Sequence, residues 1–157
     1  MKHAPAQSES SACQEYRAAF YGKFTGIKHW HELDKLFARL TQNADDNWYI
    51  MEDQAEVVTT PLSRKAVGDF LSIAGDYLHK EHDETYCGIV YVDDIHQPTF
   101  IKIYDPHNLG VVCGFSDNPP LPKWTLSRIP PCSLYKDKPK KWNQWLMRLN
   151  PKNMLNH

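Results

Sequence analysis

The chain has 157 residues, 41% of them hydrophobic and 24% charged, and a formal net charge of −1. That length and balance fit one globular domain with a real core. No apolar run is long enough for a membrane-spanning helix, and a pI near 6.7 argues against a dedicated nucleic-acid binder.

Residues 1–10 are polar and predict a flexible N-terminus; residues 11–157 then form a single α+β domain. The N-terminus lacks the apolar stretch of a secretory signal, which gives a cytoplasmic location as the expectation. Four widely spaced cysteines, Cys13, Cys87, Cys113 and Cys132, are then expected as free thiols. A first helix starts near Ser11, with Cys13, Tyr16, Phe20 and Phe24 at near-helical spacing. A second, Lys28 to Thr41, places Trp30, Leu33, Leu36, Phe37 and Leu40 on one stripe. His29 and His31 flank Trp30, so on a helix they point to different faces.

Trp48 to Met51 reads as a short strand at a sheet edge, and Val57–Thr59 as another extended stretch. Thr60 then caps a long helix, 61–80, with Pro61 at its first position. Val67, Phe70, Leu71, Ala74, Tyr77 and Leu78 follow helical spacing. Gly68 and Gly75 are expected to let this helix lie close on the strands.

Residues 86–115 predict a three-stranded meander. Three β-branched and aromatic runs (Ile89 to Val92, Phe100 to Tyr104, Val111 to Phe115) are separated by Asp93 to Pro98 and Asp105 to Gly110. With Val92 opposite Thr99, Val90, Val92, Ile101, Ile103 and Val112 share an aliphatic face. The other face carries Ile89, Tyr91, Phe100, Lys102, Tyr104, Val111, Cys113 and Phe115. Helices are expected to cover it, with Lys102 reaching water at an edge; the sharper alternative is a stacking platform for planar ligands. A proline-rich loop, 116–122, precedes a fourth strand between Lys123 and Ile129. From Lys123 onward eight basic residues face one acid, leaving ten bases and eighteen acids in the rest. Residues 136–157 thus form a basic segment with a short helix carrying Trp142 and Trp145. The fold expected is an antiparallel sheet of about four strands packed by the long helix, with N-terminal helices and a short C-terminal helix beside it.

Chemistry is sparse. His79 and His82 lie three apart near a helix C-terminus. With Cys87 they make a candidate metal set, the ligand chemistry being right and the spacing unspecific; helix dipoles gather histidines at such ends anyway. Asp105, Pro106, His107 and Asn108 supply an acid, a base and an amide, and equally satisfy turn chemistry. No phosphate loop, nucleophile elbow or dinucleotide fingerprint occurs. The sequence therefore points to a small accessory or regulatory protein that binds a partner protein, without catalysis and without a cofactor. Candidate binding residues are Tyr91, Phe100, Lys102, Tyr104, Asp105, His107, Asn108 and Trp124. A metal protein or enzyme built on His79, His82 and Cys87 is the alternative. Nucleic-acid binding through the basic segment is the second alternative, and it is not favoured.

Overall fold

Apolar residues recur at two spacings in this chain, and each spacing built its own layer. The computed structural model describes residues 11–53, 60–111 and 120–134. Its helices are α1 (Ser11–Phe20), α2 (Trp30–Gln42) and α3 (Arg64–Glu81). Its strands are β1 (Thr25–Gly26), β2 (Tyr49–Glu52), β3 (Val90–Val92), β4 (Phe100–Ile103) and β5 (Trp124–Ser127), forming one antiparallel sheet in the order β1-β3-β4-β5-β2. Among the described residues no helix is long and apolar enough to cross a membrane.

α+β class stands, and several details change. The sheet has five strands among the described residues rather than about four. β1 was hidden because two residues carry no period. Gly26 makes a close approach there: a Cβ would stand 3.0 Å from the Tyr91 ring across the pair, so a larger residue needs that ring to shift.

The meander is corrected. Asp105 accepts from the His107 amide through its side chain and from the Asn108 amide through its carbonyl. The chain therefore winds into a 3-10 helix, Pro106–Val111, instead of turning back. The far side of β4 is taken by β5, which leaves no room beside it for a strand at 111–115. Residues 112–119 lie outside the described residues. So do 1–10, Val57–Thr59 and the basic segment 136–157 with its tryptophan helix.

Helix α3 starts later than expected. Leu62 pairs with Trp48, its amide donating to the Trp48 carbonyl, so Pro61 and Leu62 are extended. Ser63 is the cap, its hydroxyl accepting from the Ala66 amide. Its buried stripe, Val67, Phe70, Leu71, Ala74 and Leu78, packs in one cluster with Val90, Val92, Ile101 and Ile103. The register differs from expectation by two residues, Val92 facing Ile101 rather than Thr99. A two-residue shift keeps every side chain on its own face, which is why the aliphatic face survived the error. Ile89 and Tyr104 are the exceptions: Ile89 joins this core and Tyr104 packs against it, instead of both lying on the aromatic face.

α2 runs antiparallel to α3, with Trp30 against His79 at one end and Thr41 near Gly68 at the other. Gly68 and Gly75 face α2, not the strands: a Cβ at Gly68 would meet Thr41 Cγ2 at 3.2 Å, and one at Gly75 would touch Phe37. His29 is extended, at φ −107°, and its ring stacks on that of His31 with centroids 5.6 Å apart; the expectation of opposed faces needed both residues to be helical.

The second face of the sheet is covered by α1. Tyr16 and Phe20 pack on Phe100, and Phe24 meets Phe100 edge-on. The Tyr16 hydroxyl lies 3.1 Å from Thr125 Oγ1. Cys13 and Cys132 form a disulfide with Cα atoms 5.6 Å apart, which overturns the expectation of free thiols at both. Their 119-residue separation hid the pairing. Structural disulfides persist in oxidising compartments, so the cytosolic placement does not follow from this structure. Cys87 is free and buried.

Candidate functional site

The antiparallel order brings residues that are far apart in sequence to the two ends of the sheet. At one end meet the end of β2, the start of β5 and the end of β4. Glu52 and Asp53 come from the first, Lys123 from the second, Asp105 from the third, and Tyr77 reaches in from α3. Lys123 is buried, with Nζ 3.5 Å from Glu52 Oε2 and 5.0 Å from the centroid of the Trp124 ring. The Asp53 amide donates to the Lys123 carbonyl at 2.7 Å, extending the β2–β5 ladder by one rung. Asp53 itself has φ +58°, in the left-handed region that Asp tolerates better than most residues.

Burial pushes the Asp53 carboxyl up to about 6; the Asp105 charge adds to the rise and Lys123 opposes it. The Tyr77 hydroxyl donates to Asp105 Oδ1 at 3.1 Å, and burial, then the Asp105 charge, raises the Tyr77 phenol well above its ordinary value. His107 Nε2 lies 2.8 Å from Glu81 Oε1 at the surface of this end. Among the described residues the buried side-chain polar atom without a hydrogen-bond partner is Trp124 Nε1, an uncommon condition in folded proteins.

At the opposite end the β3–β4 connection, the last turn of α2 and the residues flanking β2 and β5 line a half-open cavity of about 620 Å³. Its polar lining includes Arg39, Asn43, His96, Gln97 and Arg128, with Trp48 as an aromatic wall. The connection is stiffened by its own aspartates. Asp93 accepts from the Thr99 and Phe100 amides and from the Thr99 hydroxyl; Asp94 accepts from the His96 and Gln97 amides. These acids perform the turn chemistry expected of them.

Both guanidinium groups are held in place. Arg39 donates to the Ile95 carbonyl. Arg128 grips Asp45 with two bonds of 3.1 and 3.0 Å and lies 4.7 Å from the centroid of the Trp48 ring. The Arg128 hydrogen bond holds the Asp45 carboxyl below its ordinary value. A pair this exposed contributes little to stability, so an incoming carboxylate can compete for Arg128.

The structure separates the expected binding residues. Phe100 and Trp124 are fully buried and belong to the two cores. Tyr91, Lys102 and Tyr104 are half-buried, Lys102 against Phe20 of α1 and Tyr104 against the larger core; Asp105 is buried, and His107 and Asn108 are exposed. Burial, then the neighbouring Tyr91, raises the Tyr104 phenol. Lys102 is not at an edge: β4 is the central strand of five.

The residues of the metal alternative are near one another but engaged separately. His79 Nε2 lies 2.7 Å from Asp34 Oδ1, and His82 Nε2 lies 2.8 Å from the Cys87 carbonyl oxygen. Burial pushes the Cys87 thiol up, away from the thiolate that a metal needs. No grouping of three or more His, Cys, Asp or Glu suited to a metal occurs among the described residues.

Asp53, Lys123, Tyr77, Arg39 and Arg128 were missed as site residues. Lys123 directly before a strand was the available signal; the two arginines offered none. No protein-family model, curated protein or solved structure matches this chain.

Proposed function

We propose that this chain is a binding protein without catalytic chemistry, and that its cavity end holds an acidic segment of a partner protein. The observation that carries the reading is the pair of oriented guanidinium groups, Arg39 and Arg128, in a cavity of about 620 Å³. Arginine forks match carboxylates in two-bond geometry, and guanidinium groups already held in place lose little freedom on binding. Ile95 is an exposed large hydrophobic residue on the same connection, so an acidic side chain followed by an apolar one suits the site. The opposite end of the sheet is internally paired through Lys123–Glu52 and Tyr77–Asp105, which fits support rather than recognition.

Selection of random displayed peptides on the oxidised chain tests this. Enriched peptides are expected to share Asp or Glu, and to bind the double variant Arg39→Ala, Arg128→Ala at least about tenfold more weakly, a difference of about 1.4 kcal/mol. Enriched peptides without acids, or with unchanged affinity for the double variant, overturn the reading.

A further inference from the structure

Lys102 combines three features that ordinary lysines do not share. It projects from the central strand, so its stem has no sheet edge to pass around. Its Nζ stands 4.1 Å from the centroid of the Phe20 ring and 4.0 Å from that of Phe24. Among the described residues, the titratable or charged side chains placed around it are phenols and one guanidinium. Tyr91 faces it from β3, and Tyr104, just beyond the end of β4, meets the Tyr91 ring. From α1, Tyr16 reaches Thr125, the cross-strand neighbour of Lys102, while Arg17 is directed to the Ser133 carbonyl. No carboxylate pairs with Lys102 among the described residues. Phe24 and Lys102 are both half-buried rather than sealed, so the amine keeps a route to small solutes.

We propose that Lys102 is a site of covalent acylation, its ε-amine accepting the acyl group of a small thioester. The Nζ lone pair attacks the thioester carbonyl carbon. The C–S bond breaks, the thiolate leaves with the bonding pair, and Nζ gives up one proton to solvent. The products are an amide and a free thiol, with no oxidant or reductant involved. A neutral amide suits this position: it replaces a cation that has lost water without gaining a countercharge. A carbamate or phosphoryl product would instead place an anion against two ring faces, where the quadrupole repels it.

The rate follows from the same surroundings. Burial pulls the Lys102 amine down to about 8. At pH 7.5 roughly a quarter of it is then free amine, against roughly a thousandth for an ordinary lysine. A less basic nucleophile is intrinsically slower, by roughly tenfold over this span on the slope known for thiolates. A net advantage of about tenfold remains after an allowance for restricted access.

The experiment treats the full oxidised chain with S-acetyl-N-acetylcysteamine, a small uncharged acetyl thioester, and follows acetylation of each lysine by peptide mass spectrometry from pH 6.5 to 10.5. Lys65, which is exposed and paired with Asp69, is the internal reference. At pH 7.5 Lys102 is expected to react about tenfold faster than Lys65. Its rate in the folded chain should level off just above pH 8, and both the plateau and the preference should vanish in denaturant. A Lys102 rate equal to or below that of Lys65 at pH 7.5 overturns the assignment, as does a folded-state profile with no plateau up to pH 10.5 or a preference that survives unfolding.

Discussion

The two faces of the sheet are covered by opposite strategies. On one, α2 and α3 bury a continuous aliphatic and aromatic cluster, most of it from residues set at helical or strand spacing. On the other, one ten-residue helix lays Tyr16 and Phe20 on Phe100, is tied by the Cys13–Cys132 disulfide, and leaves Lys102 between two rings. The first face is stabilised by area removed from water. A helix as short as α1 is marginal alone, so the second face depends on a covalent tie and a few aromatic contacts. Stability is concentrated on the first face, and adjustable chemistry on the second.

The largest expected effect lies on the first face. Phe70 is fully buried and meets Trp124 edge-on with centroids 5.3 Å apart. Phe70→Ala should destabilise the chain by about 3–5 kcal/mol in urea unfolding, and a loss under about 1 kcal/mol would erase the distinction between the faces. Next comes the tie. The double variant Cys13→Ser, Cys132→Ser should lose about 2–4 kcal/mol. Amide exchange should then speed up in α1 much more than in α3; equal acceleration in both helices would mean that the disulfide supports the whole body and not one face. Tyr16→Phe removes the hydroxyl near Thr125 and should cost about 1 kcal/mol, read from the same unfolding curves.

The smallest effect has the opposite sign. With its folded-state value at about 8 and an unfolded value near 10.4, Lys102 binds more protons when unfolded across that window. Its contribution to stability therefore rises with pH from about 8 to 10.4, and below pH 8 the buried cation costs stability. Lys102→Met should raise stability at pH 7 by about 0.5–1 kcal/mol, the lost attraction to two rings offsetting part of the gain. It should also flatten the alkaline slope. A loss of stability at pH 7 would show that the rings outweigh the desolvation.

How much the sequence disclosed follows the same division. Residues that obey a period were read correctly: the stripe of α3, the stripe of α2, the pairing parity of β3 with β4, and the strands at Tyr49 and Trp124. What escaped depends on sequence-distant partners. Cys13 meets Cys132 only because α1 folds across β4 and β5. Asp53 nears Asp105 only because β5 lies between β2 and β4. Asp105 captured the following amides and coiled the chain into the 3-10 helix that ends at Val111, where a turn back onto β4 was expected. Arg39 and Arg128 carry no signal in the sequence, because only the fold brings the end of α2 and the end of β5 to one cavity.

The bond between Cys13 and Cys132 also makes a closed loop of the backbone, spanning a sequence separation of 119 residues. A single proteolytic cut inside that loop opens the ring without dividing the molecule. The nicked protein would run as one species on a denaturing gel until reductant is added, and then as two. Its fragments stay at molecular-scale distance after cleavage, where effective concentrations are high, so a clipped chain can hold its fold and its cavity together. Loss of intact backbone and loss of binding are thereby separated in this protein.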